Sequence, residues 1–208
     1  MSICYAILVD AGFVKRKLGS REKPMDADDF EKFIDRVTAH ADLDGLRLHR
    51  VYVYDAAPLN EKVVKPLGGG EMNFATQPIA QRSRKLHSDL QRKRNVAIRM
   101  GELVFRGWTV KSATLQADGE EIKIRSGDLH PNIQQKAVDM RIGLDIAALT
   151  LKKIAQVIVL VTGDSDFIPA MKFARREGAR LYLVPMGHAI KESMYEHADL
   201  ILDIPAKA

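Results

Sequence analysis

The chain has a single cysteine, Cys4, among 208 residues, and that scarcity removes two kinds of architecture at once. No internal disulfide can form, and no multi-cysteine zinc site can be built. Cys4 itself reads as a small buried hydrophobe. No apolar run approaches the roughly 18 residues that a membrane span needs. Met1-Ser2-Ile3-Cys4 lacks the basic start of a secretory leader, so a cytoplasmic protein with no membrane partner is expected. None of the six histidines falls at a close metal-ligand spacing. No Ser-His-Asp order, phosphate-binding loop or dinucleotide fingerprint stands out.

What remains is ordinary globular composition, 46% apolar and 28% charged, in a length suited to one domain. The formal charge of +5 suits a polyanionic partner such as nucleic acid.

The most informative segment is Val157-Ile158-Val159-Leu160-Val161-Thr162, which runs into Gly163-Asp164-Ser165-Asp166-Phe167. An unbroken β-branched run reads as a strand covered on both faces, the mark of a parallel sheet. Ligands bind beyond the carboxyl ends of such strands. Tyr5 to Val9 repeats the grammar, ending at Asp10. Carboxylates gathered there repel one another unless a cation or hydrogen bonds compensate, and oxygen-only donors suit Mg²⁺ or Mn²⁺.

Around these strands the spacing predicts a helix from Asp26 carrying Phe30, Phe33, Ile34 and Val37 on one face, and a strand from Leu46 to Tyr54 ending on Asp55. A long helix is expected from Lys136 to about Lys153, a helix to about Arg176, a strand from Arg180 to Val184 and a short helix over 189–198. The alternation predicts an α/β fold, a parallel sheet with helices on both faces. Residues 56–135 are less regular and read as an insertion into a single 1–208 domain. Within it, a basic helix over 81–95 carries Arg82, Arg84, Lys85, Arg92, Lys93 and Arg94. A hairpin arm is expected from strands 96–105, 108–116 and 121–124, turned at Gly101, Gly107 and Asp118-Gly119. Its edges and Trp108 suggest either a homodimer contact or an arm packed within the monomer.

The acids also have plain structural readings. Asp166 either contacts a metal or caps the helix that Pro169 enters. Asp139 either joins the cluster or is a first-turn acid on the buried stripe of its helix, favoured by the dipole. Its helix runs antiparallel to the strand that follows, which is expected to place Asp139 at the opposite edge of the sheet unless the long insertion delivers it elsewhere. Asp145 reads as solvated or locally paired, and Asp55, Asp199 and Asp203 as ordinary acids of loops or strand ends.

Three motifs in order, Ile7-Leu8-Val9-Asp10-Ala11-Gly12, Lys136-Ala137-Val138-Asp139 and Val161-Thr162-Gly163-Asp164-Ser165-Asp166-Phe167, resemble the NYN domain family of PIN-like ribonucleases in its bacterial LabA-like branch. Glu196-His197-Ala198-Asp199 resembles the last recognisable element of the family. The resemblance implies a Rossmann-like sheet whose acids bind Mg²⁺ or Mn²⁺ for RNA cleavage. It makes Asp10, Asp139 and Asp164 the metal-holding carboxylates and Asp166 a fourth catalytic or supporting acid. Thr162 and Ser165 would orient carboxylates or water. Lys136 and the basic residues of 81–94 would guide the RNA backbone. Many relatives carry an Asn where this chain has Phe13, whose ring could stack on a base.

The expected function is a metal-dependent endoribonuclease in which an activated water attacks phosphorus. The alternatives are an RNA-binding or interaction module of the same fold with weak or no catalysis, or related metal chemistry on DNA flaps or small phosphate esters.

Overall fold

The computed structural model describes residues 3–116 and 121–206. Strand β1 (Cys4–Asp10) is buried along its whole length and passes directly into helix α1 (Ala11–Leu18). Helix α2 (Ala27–Thr38) opens on Asp26, whose carboxylate accepts hydrogen bonds from the amides of Asp28 and Asp29. There follow β2 (Arg47–Ala57), β3 (Lys62–Val64), β4 (Glu71–Asn73), α3 (Pro78–Gln91), β5 (Val96–Val110) and β6 (Leu129–Lys136). The chain then alternates: α4 (Val138–Leu151), β7 (Val157–Val161), α5 (Ile168–Arg176), β8 (Arg180–Val184), α6 (Glu192–Glu196) and β9 (Leu200–Ile201).

The main sheet has seven strands in the order β6-β5-β2-β1-β7-β8-β9, and β3 with β4 makes a separate antiparallel pair. β1 is parallel to β2 and β7, β7 to β8, and β8 to β9, whereas β5 and β6 are antiparallel. The fold is therefore α/β with a mostly parallel sheet, as the alternation predicts.

The chain forms two compact units, one of residues 1–55, 86–100 and 137–208, the other of 56–85 and 101–136. In the first, Ile7, Val9, Val51, Val53, Val159 and Val161 share a core cluster with Phe30, Phe33, Ile34 and Val37 of α2 and Leu86 and Leu90 of α3. Alternate strand residues such as Leu8 and Leu160 point the other way and are equally inaccessible. Apolar side chains on both faces explain the unbroken Val/Ile/Leu runs.

In the second unit, Phe74, Phe105 and Trp108 pack in sequence, the first pair tilted and the second edge-to-face, with centroids 5.5 and 5.7 Å apart. The Trp108 indole N–H donates to the Val64 carbonyl, and Lys65 lies over its ring. These contacts all lie within the second unit. The arm is built differently from the expected one: a single strand, β5, runs through both Gly101 and Gly107, and its partner is β6. Gly107 does not turn the chain; at φ +94° it sits in a register irregularity between Phe105 and Trp108. Residues 108–116 end in a short 3₁₀ turn, and 121–124 form no strand. Asp118-Gly119 lies outside the described residues. Helix α3 stops at Gln91, so Arg92, Lys93 and Arg94 lie beyond it.

Two geometric expectations are corrected. A helix antiparallel to the strand it feeds begins at that strand's carboxyl end, so α4 starts on the same sheet edge where Asp10 and Asp164 lie, not the opposite one. Asp139 is also exposed; the buried stripe of α4 is Val138, Ile142, Ile146 and Leu149.

Candidate active site

The site lies within the first unit, at the carboxyl edge of β1 and β7. Val9 is paired with Val161, so the residues following each, Asp10 and Thr162, leave the sheet side by side. Asp10 caps α1: its Oδ1 accepts from the Phe13 amide at 3.1 Å. Its Oδ2 accepts from the Thr162 hydroxyl at 3.4 Å, and that hydroxyl in turn accepts from the Asp164 amide at 3.2 Å. Thr162, wholly buried, thus ties the two strand ends together.

Asp164 caps the 3₁₀ turn Ser165–Phe167 by accepting from the Asp166 amide at 2.9 Å. The capping role anticipated for Asp166 belongs to Asp164. Helix α5 begins only at Ile168, with Pro169 in its first turn, where a missing N–H costs nothing. Asp164 and Asp166 are exposed, and Ser165 is half-buried.

Burial pushes the Asp10 carboxyl up from its ordinary range, and the nearby Asp139 charge adds to the rise; the Phe13 amide and the Arg16 charge oppose it. Asp139 is also raised, first by partial desolvation and then by the charges of Asp164 and Asp166. Asp139 thus bears on Asp10, and Asp164 and Asp166 bear on Asp139, so acids from three chain segments are linked through it at this edge.

The donor set is oxygen only, which fits Mg²⁺ or Mn²⁺. Among the described residues no three His, Cys, Asp or Glu side chains stand close enough to share one ion. The fit is thus to an ion held by one or two of these carboxylates, with water and phosphate oxygens completing its shell.

Other anticipated residues fare differently. Phe13 is only 5% exposed, edge-on to His188 at 5.8 Å, so its ring is packed in the core and is not presented to a base. Thr162 is too buried to touch substrate and serves to orient Asp10. Lys93 is held by Asp28 and Glu31 at 2.8 and 2.7 Å, which raises its pKa and occupies its ammonium. Arg84 is bound to the Ala75 carbonyl and Asn60 within the second unit. Arg82, Lys85 and Lys136 are exposed in that same unit, and Arg92 and Arg94 are exposed in the first.

Sequence reasoning passed over a second cluster. Asp55, 4% exposed at the end of β2, takes both ammonium contacts of Lys15 at 2.8 Å and the His87 Nε2 at 2.7 Å. The signal was available: Tyr54-Asp55 repeats the strand-then-acid grammar. Asp145 is locally paired, accepting from the buried Tyr54 hydroxyl at 2.8 Å and from Arg99 at 3.1 Å. His188 had no sequence signal; it packs on the backbone between Thr162 and Asp164. A Cβ on Gly163 would meet its ring at 2.4 Å and that of Phe13 at 2.9 Å, so only glycine fits there.

The NYN domain family profile matches residues 6–204, nearly the whole chain. The chain belongs to the NYN domain family. The NYN fold is nuclease-like and PIN-related, and the three motifs of this chain lie on the sheet edge just described. The uncharacterized protein y4oD of Sinorhizobium fredii (strain NBRC 101917 / NGR234) is 34% identical over 71 residues, 34% of this chain and 33% of y4oD. The matched region is thus about a third of that relative's length. A solved structure of a protein of unknown function, VPA0982 from Vibrio parahaemolyticus RIMD 2210633, superposes with a TM-score of 0.52 at 15% identity. That match covers 97% of this chain and 92% of VPA0982, a likeness of fold. Among the described residues no helix is long and apolar enough to cross a membrane.

Proposed function

We propose that this NYN domain is a metal-dependent endoribonuclease of the LabA-like kind. The observation that carries the reading is the convergence of Asp10, Asp139, Asp164 and Asp166 at one sheet edge, with Asp10 and Asp164 linked through Thr162. One or two of Asp10, Asp139 and Asp164 would hold Mg²⁺ or Mn²⁺, water and phosphate oxygens would complete its shell, and Asp166 would support them. Such an ion polarises a phosphodiester and lowers the pKa of water near it. The chain's own residues supply the rest. The Phe13 amide and Thr162 hydroxyl fix the orientation of Asp10 before substrate arrives. Repulsion among the acids favours a cation over an empty edge, and the net charge of +5 favours the approach of RNA.

The test is cleavage of RNA with Mn²⁺ and with EDTA by the parent, Asp10→Asn and Asp164→Asn. Cleavage lost in EDTA and reduced by about 100-fold or more in both variants is expected. Undiminished cutting by both variants would sink the mechanism.

A second reading, an RNA-binding module without turnover, is favoured by the burial of Phe13, an apolar ring three positions after Asp10 that offers no polar contact to metal-bound water or phosphate. Salt-sensitive RNA binding with no cleavage in any divalent ion would select it. Parallel assays on DNA and a generic phosphoester separate the remaining metal-hydrolase possibilities.

A further inference from the structure

Helix α1 carries three consecutive bases, and two are already engaged. Lys15 holds Asp55, and Lys17 lies 5.7 Å over the Phe13 ring. Arg16 between them is exposed, and its guanidinium makes no hydrogen bond or ion pair among the described residues. Its guanidinium stands at the candidate site all the same. A Cβ built on Gly12 would lie 3.2 Å from Asp10 Oδ1 and 3.7 Å from Arg16 Nη1. The carboxylate and the guanidinium thus border one small space, open because residue 12 has no side chain.

We propose that Arg16 binds the non-bridging oxygens of the phosphate that this site acts on. This rests on the reading of the site as a phosphodiesterase. A guanidinium has five donors, no acceptor and a planar fork matched to two phosphate oxygens. A phosphate approaching four carboxylates meets repulsion, and a positive group on the rim offsets it. Lys15 and Lys17 do not serve because their charges are directed to Asp55 and the Phe13 ring. Gly12 fits the same scheme, since any side chain there would fill the space where an oxygen would sit.

The experiment measures binding of a fluorescent single-stranded RNA in EDTA, where the carboxylates cannot recruit a metal, and cleavage in Mn²⁺. The proteins are the parent, Arg16→Gln, Arg16→Lys and the control Arg21→Gln, which removes an exposed charge elsewhere. Arg16→Gln should weaken binding by about tenfold and reduce the salt slope by about 0.7, one single-strand phosphate contact. Its kcat should fall by about 100-fold. Arg16→Lys should regain most of the binding but little of kcat, because an ammonium lacks the fork. Arg21→Gln should stay within about twofold. Equal losses in Arg16→Gln and Arg21→Gln, no loss in Arg16→Gln, or no RNA binding by the parent would each overturn the proposal. If the parent binds RNA yet never cleaves it, the nuclease reading fails and the binding comparison still decides the role of Arg16.

Discussion

The Asp139 carboxylate makes no hydrogen bond or ion pair among the described residues, yet Asp164 and Asp166 bear on it electrostatically. A carboxyl whose pKa is raised by folding binds its proton more tightly in the folded state, so its ionisation lowers stability as pH rises above the unfolded value. Without divalent ions, Asp139→Asn should therefore melt at a higher temperature than the parent at neutral pH. The gap should close as pH falls and the parent's own carboxyl protonates. Melting curves between pH 4 and pH 8 in EDTA check this, and a variant less stable than the parent at pH 7 would contradict it. The apolar runs ending at Asp10 and Asp164 made these two residues legible in the sequence. Asp139 needed the sense of the helix relative to its strand, and Arg16 needed a side-chain direction that no spacing encodes. The burial of Phe13 depended on the approach of His188, 175 positions further along the chain.

At the level of elements, Asp55 joins β2 to two helices, Lys15 of α1 and His87 of α3. Breaking a buried charge cluster by removing its centre strands the partners. Asp55→Ala should cost about 3 kcal/mol. Lys15→Ala should cost less, because the Lys15 side chain is 34% exposed and water can take its place beside Asp55, whereas the His87 side chain at 9% leaves water little access. Urea denaturation of the three alanine variants tests the order Asp55, His87, Lys15 from most to least destabilised. The alternation of elements was plain in the sequence because β1 and β7 are covered on both faces. The arm was misdivided because glycine was read as a turn signal. Gly107 takes its positive φ inside a strand irregularity instead, which pairing with a distant β6 alone determines.

For the molecule as a whole, a ligand that binds only the folded state raises the melting temperature by mass action. Mn²⁺ at about 100 times its dissociation constant should add about 2.7 kcal/mol. In a chain of this length that is a rise of several degrees. The rise should shrink in Asp10→Asn and Asp164→Asn; an equal shift in both would place the ion elsewhere. Such a measurement asks about the cation independently of turnover. Thr162 adds a consequence for folding. Side chains alternate between sheet faces, so a β1–β7 pairing slipped by one residue would carry its hydroxyl away from Asp10. The slipped sheet could still bury valines and leucines on both sides, but the buried hydroxyl would keep only the local Asp164 amide and lose its acceptor, Asp10. The threonine thus acts as a proofreader of strand register, penalising misfolded sheets that hydrophobic packing alone would accept.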